Sequence, residues 1–248
     1  MGQRTIERLI VSTEKLISQV GTSGLRLNSV VSDANVGNAA AVNYHFKNKA
    51  GLIQATIEYR IPQIMHHRSG VVAVLSETPR GDAFHYQLLL ILFPIFEIIR
   101  TQLPESYYGR MLQRLDVTNP DMVKTLTDRT RDLDLGFRSI MENARLQLEY
   151  LVGERRCAEL SMFIIGAAAQ AIGEIERDLC AGIKAGKLPP ERVTEIMDYS
   201  LFQLLTFLVN GALQNAFSLP EQDFHRILSE SRQRNSDIDG TSEFGIQF

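Results

Sequence analysis

Cysteine is nearly absent from this chain. Of 248 residues only Cys157 and Cys180 carry a thiol, in neither a CxxC nor a metal-ligand spacing. That excludes a disulfide framework and suggests no zinc site. Long apolar runs are missing as well. The longest is Leu88 to Phe96, nine residues with Pro94 among them, where a membrane helix needs roughly 20. The opening MGQRTIERLI lacks the apolar stretch of a secretory leader. No membrane partner is therefore expected, and the expected location is the cytoplasm. Catalytic signatures are also missing: there is no Gly-x-Ser-x-Gly elbow, no Walker loop and no Gly-x-Gly-x-x-Gly. His66 and His67 are adjacent, so on a helix they point to different sides and cannot share a metal. His85 and His225 have no other His and no Cys nearby in sequence. The chain is thus expected not to be an enzyme, with no catalytic residue, no metal and no cofactor. The two cysteines read as packing residues.

Charge of one sign is not in large excess either. The whole chain is −3, which taken alone argues against a nucleic-acid partner. The sum hides a division. Residues 1–60 hold seven basic and four acidic groups, a net of +3, while the other 188 hold 19 and 25, a net of −6. A basic head on an acidic body is the asymmetry expected when one segment meets phosphate. The apolar share, 44%, is too high for a disordered chain.

What is present is helical periodicity, with no strand alternation, repeat or low-complexity tract. Ile6, Leu9, Ile10, Leu16, Ile17 and Val20 follow i, i+3, i+4 and predict an amphipathic helix over 5–20, ended by Gly21 and Gly24. Short helices follow near Leu27–Ala34 and Asn38–Phe46, separated by a tight turn at Asn35-Val36-Gly37. Asn48 is placed to cap the next helix, which Pro62 interrupts near 58–61. A helix from about Asp82 to Gln102 is apolar nearly all round and reads as central and buried. Shorter helices at Ser106–Leu115 and Pro120–Thr125 come next. Long ones at Thr127–Val152, Arg155–Lys184 and Arg192–Phe217 follow, with a short one at Pro220–Ser231. The polar segment 232–248 reads as a disordered tail. The predicted fold class is all-α, with a helix-turn-helix head at 1–50 and a larger helical body at 51–231.

The head carries the most specific signal. A short helix presented on a tight turn fits the major groove, which is roughly 12 Å wide, while the other helix crosses the backbone. Val30-Val31, Ala34-Asn35-Val36, Asn43-Tyr44-His45-Phe46 and Asn48-Lys49 stand in the order of a known signature: apolar-Ala, Ala-Gly-Val, an aromatic-His-Phe helix end, and a polar-Lys joint. Over about residues 5–60 the chain resembles the DNA-binding domain of TetR-family transcriptional regulators. Asn35 replaces the usual turn glycine, and asparagine is the next-best residue at positive φ. Asn43 replaces a common tyrosine, and the turn-to-Phe46 stretch is one residue longer than the commonest form.

The resemblance implies a double-stranded DNA operator as partner. It places Tyr44, His45 and Lys49 on backbone phosphate, and Gly37, Asn38, Ala39 and Ala40 at base edges. Asn38 and Asn43 have the chemistry to read adenine, and the alanine methyls that to meet thymine. Arg26 and Asn28, at the start of the second helix, are further phosphate candidates. The resemblance also implies a homodimer built on the last two long helices. Ile164, Ile165, Ala168, Ile172, Leu201, Leu205, Leu208 and Leu213 are the expected interface, beside a run of small residues at 166–173. A small-molecule effector, hydrophobic or amphipathic, is expected in the body. Its candidate walls are Phe84, His85, Leu88, Leu92, Phe96, Tyr107, Tyr108, Met111, Phe137, Met141, Arg145 and Met162. The expected function is a ligand-responsive regulator, as a repressor on a palindromic operator. The competing reading is a helical small-molecule-binding or enzymatic protein with an unused head.

Overall fold

The computed structural model describes residues 2–37, 40–79, 83–115, 134–213 and 221–241. Among them every regular element is helical, so the fold is all-α as the periodicity predicts. The order is α1 (Gly2–Gly24), α2 (Leu27–Asp33), α3 (Ala40–Phe46), α4 (Lys49–Glu58), α5 (Ile61–Ser76), α6 (Phe84–Gln102) and α7 (Tyr108–Arg114). It continues with α8 (Leu135–Val152), α9 (Glu154–Lys184), a 3₁₀ turn (Pro190–Arg192), α10 (Val193–Leu213) and α11 (Glu221–Thr241). The predicted Pro120–Thr125 helix, the starts of the Asp82 and Thr127 helices, and residues 214–217 lie outside the described residues. The chain forms two compact units. The first comprises Met1–Pro62, Thr101–Leu135 and Gly166–Pro189; the second comprises Gln63–Arg100, Gly136–Ile165 and Pro190–Phe248.

In the first unit α1 packs mainly on α7, and also on α4 and α2. Leu9, Ile10 and Ile17 of α1 are buried, as are Val30, Val31, Val42, Phe46, Leu52 and Ile53 of the helices around it. Helix α1 breaks its regular geometry at Gly21, where φ is 70°, before a last turn to Gly24. Helix α7 begins on the buried carboxylate of Glu176. That carboxylate accepts from the backbone N–H groups of Gly109 (3.0 Å) and Arg110 (2.8 Å), from Arg110 Nε (3.0 Å) and from the Ser106 hydroxyl (2.5 Å). An anion there satisfies amides that a helix start leaves open. Cys180 lies in the same place, with Sγ 3.8 Å from the Ser106 carbonyl. Burial pushes its thiol up, and the Glu176 charge adds to that. A protonated, buried thiol is the packing residue the sequence suggests.

The second unit is arranged around α6, buried on almost every side from Phe84 to Ile99. Pro94 inside it has no N–H, so the carbonyl of Leu90 has no helical partner. Buried Arg68 of α5 supplies one: its Nε donates to Leu90 O at 3.1 Å. Helices α5 and α11 meet at Gly70, where a Cβ would come within 2.5 Å of Ser231 O.

The region after Arg232 corrects the sequence reading. Residues 232–241 of the expected tail continue α11 to Thr241, and residues 242–248 lie outside the described residues. Arg232 holds Asp198 and Glu97 in ion pairs, Arg234 meets Glu77 at 2.7 Å, and Asn235 is buried with its amide toward His67 O. A composition this polar conceals burial when its charged groups find partners of opposite sign. Counted over a whole helix rather than an unbroken run, α6 and α9 are long and apolar enough to cross a membrane. The apolar stretch of α6 is 78% buried inside the protein; that of α9 is 22% buried.

Candidate nucleic-acid interface

Helix α2 ends in a turn that fixes where α3 points. The Val36 N–H donates to Val31 O and the Asn35 N–H to Ser32 O, both at 3.0 Å. This is the Schellman pattern, with its left-handed residue at Asn35, where φ is 49°. The expected turn thus forms on asparagine, and Gly37 is not among the positive-φ residues. Helix α3 then buries Val42 and Phe46 and leaves Ala40, Asn43 and Tyr44 exposed; Tyr44 is 84% exposed. His45 is half-buried between the two aromatics, its ring centroid 4.9 Å from that of Tyr44.

Lys47 closes α3 at φ 66°. Asn48 caps α4 as predicted, its Oδ1 accepting from Gly51 N–H at 2.9 Å. Gly51 is required here, because a Cβ would sit 2.1 Å from Phe46 O. Exposed Lys47 and half-buried Lys49 therefore follow the exposed end of α3 directly. Lys49 Nζ reaches the Ser23 carbonyl only at 3.4 Å, so its ammonium keeps donors for another acceptor. Arg26 and Asn28 at the start of α2 are exposed too. Of the expected DNA-facing set, Arg26, Asn28, Gly37, Ala40, Asn43 and Tyr44 are exposed, and His45 and Lys49 are partly so. Asn38 and Ala39 lie outside the described residues.

Sequence reasoning missed the residues that hold this head in place. Arg8 and Lys15 are seven apart, two turns along one face of α1. Both reach the C-terminal end of α2. Arg8 Nε donates to Ala34 O at 2.8 Å, and its Nη2 donates to Ala34 O and Asn35 O. Lys15 Nζ meets Asp33 at 2.7 Å. Burial works against the Asp33 charge, but hydrogen bonds from Lys15 and Ser12 with the Lys15 charge outweigh it and hold the carboxyl below its ordinary value. A buried pair completes the support: Arg60 donates to both oxygens of Glu14, at 2.8 and 3.0 Å, and to Gln102 Oε1 at 3.1 Å. Burial pushes the Glu14 carboxyl above its ordinary value; Arg60 offsets only part of that. The visible signal for Arg8 and Lys15 was their i, i+7 spacing. No local pattern marks Glu14 with Arg60, which are 46 positions apart.

The expected interface and pocket residues fall differently. Ile164, Ala168, Ile172, Leu201, Leu205 and Leu208 are buried within the chain itself, between 0% and 7% exposed, so they present no surface to a second copy. The side chain of Leu213 is outside the described set. Ile165 of the expected set is exposed, and other exposed apolar side chains on the same helices are Met162 and Phe163 on α9 and Tyr199 and Phe207 on α10. Of the pocket candidates, Phe84, His85, Leu88, Leu92 and Phe96 are buried in the second unit, with Phe137 and Met141 half-buried there. Tyr107, Tyr108 and Met111 belong to the first unit. Met162 is 53% exposed, and Arg145 is exposed and paired with Glu142 and Glu149 along its own helix, so neither lines an interior wall. No group of His, Cys, Asp or Glu among the described residues is arranged to hold a metal ion. No family model and no curated protein matches this chain.

Proposed function

We propose that the chain is a dimeric DNA-binding transcriptional regulator of the TetR type. It acts as a repressor on a palindromic operator and is released by a small hydrophobic or amphipathic effector. The observation that carries the proposal is the two-faced helix α3. One face anchors in the head through buried Val42 and Phe46; the other presents Asn43 and Tyr44 to solvent beside Lys47 and Lys49. A short helix with a polar, hydrogen-bonding outer face and cations at its end has the chemistry to read bases and grip phosphate.

One such head offers too few contacts for tight specific binding, so a second copy supplies the other half-site. In this proposal Met162, Phe163, Ile165, Tyr199 and Phe207 form its contact surface. Effector release rests on the resemblance, with the buried face of α6 as the apolar surface nearest to that role. The test is selection from a random duplex pool in competitor DNA. Lys49→Ala weakens binding on every sequence and lowers the salt slope by about 1, whereas Asn43→Ala costs about 1–3 kcal/mol at one base position. Failure to enrich any sequence contradicts the proposal.

A further inference from the structure

We infer that Arg8 is a positioning residue that sets the aim of α3 by clamping the turn before it. The inference rests on the proposal that α3 reads DNA. Helix α2 is seven residues long and carries no basic residue in its last turn. Its terminal carbonyls and the negative end of its dipole need donors from elsewhere. Arg8 reaches them from α1, 26 and 27 positions away, with Nε and Nη2 both on Ala34 O and Nη2 also on Asn35 O. These two carbonyls flank the left-handed residue of the turn, one in the peptide unit that enters Asn35 and the other in the unit that leaves it. A planar guanidinium fixes two oxygens in one plane, which a single ammonium cannot do. The clamp therefore restrains the joint at Asn35 between α2 and α3.

Its setting separates positioning from simple stability. Arg8 is exposed and lines an open surface groove with Glu7, Val11, Ser12 and Tyr59. The core residues Leu9 and Ile10 next to it are buried by other contacts. Losing the guanidinium thus leaves the hydrophobic core intact and frees the turn.

The experiment has two arms, both on the full chain. Amide hydrogen exchange is followed in the free protein for wild type, Arg8→Gln and Arg8→Lys. In Arg8→Gln, the Asn35 and Val36 amides exchange roughly tenfold faster while the α1 amides around Ile17 are unchanged. Each protein is then titrated with the duplex that wild type enriches from a random pool and with an unselected duplex of equal length. Arg8→Gln loses roughly tenfold in the ratio of the two affinities, with non-specific affinity and its salt slope unchanged. Arg8→Lys keeps the charge and does not restore either readout. Unchanged exchange at Asn35 and Val36 overturns the clamp. Faster exchange with unchanged discrimination overturns its role in aiming α3. Full rescue by lysine overturns the need for the fork. A wild-type protein that enriches no duplex sinks the DNA reading itself, and the exchange arm then decides the clamp alone.

Discussion

At φ 49°, Asn35 occupies a backbone region that costs an ordinary L-residue about 1–2 kcal/mol. Asn35→Ala should lower thermal stability by about 1 kcal/mol, while Asn35→Gly should be neutral or better; paired melts decide this. The buried Glu14–Arg60 pair poses a different balance. Both charges have left water, so removing one strands the other. Arg60→Met should destabilise by about 3–5 kcal/mol, and adding Glu14→Leu should recover much of it, as read by denaturant unfolding of the singles and the double. Glu97 in the second unit titrates in the opposite sense. Burial alone would raise its carboxyl, but Arg100 and Arg232 together hold it below the usual 4.5. The folded state then binds fewer protons than the unfolded one near that pH. Its stabilisation is complete above about pH 4.5 and is lost as the pH falls through the lowered value. Glu97→Gln should flatten the acid side of the stability–pH curve; an unchanged acid side would contradict that role.

At the scale of elements, Pro94 and Arg68 form a unit split between two helices. The proline removes a donor from α6 and the arginine of α5 returns one. A double-mutant cycle measures the link. Arg68→Met should cost more beside Pro94 than beside Pro94→Ala, where the helix can satisfy Leu90 O itself; equal costs would sever it. Helix periodicity made most elements legible, because amphipathic stripes and the all-apolar face of α6 follow directly from packing. Helix α11 beyond Arg232 was not legible. Its helicity depends on partners at Glu97, Asp198 and Glu77, distant in sequence and invisible to a local window. In the head, the turn and the cap at Asn48 were readable from residue type. The grip of Arg8 on α2 was not, since a surface arginine on an amphipathic helix reads as solvated. That most of the expected interface residues, all described ones but Ile165, are buried within the chain itself was not legible for a related reason. Periodicity separates an apolar face from a polar one, and on a long helix it cannot tell which apolar residues face the chain's own core.

For the whole molecule, the division of charge is the broadest feature. The first 60 residues are +3 and the remainder −6. In the proposed regulator a head this weakly basic limits non-specific attraction, so specificity has to come from two heads acting together. In the proposed dimer the exposed side chains of Met162, Phe163, Ile165, Tyr199 and Phe207 carry the association. Phe163→Glu with Phe207→Glu should shift the protein from dimer to monomer in sedimentation and abolish tight operator binding without unfolding it; a retained dimer would place the interface elsewhere. The central claim meets its most direct test in the duplex selection itself. Full-length protein, incubated with a random duplex pool and excess competitor DNA at moderate salt, should enrich a two-fold symmetric sequence, with Asn43→Ala changing preference at symmetric positions. Enrichment of no sequence, or of one that Lys49→Ala and Asn43→Ala leave unaffected, would contradict it.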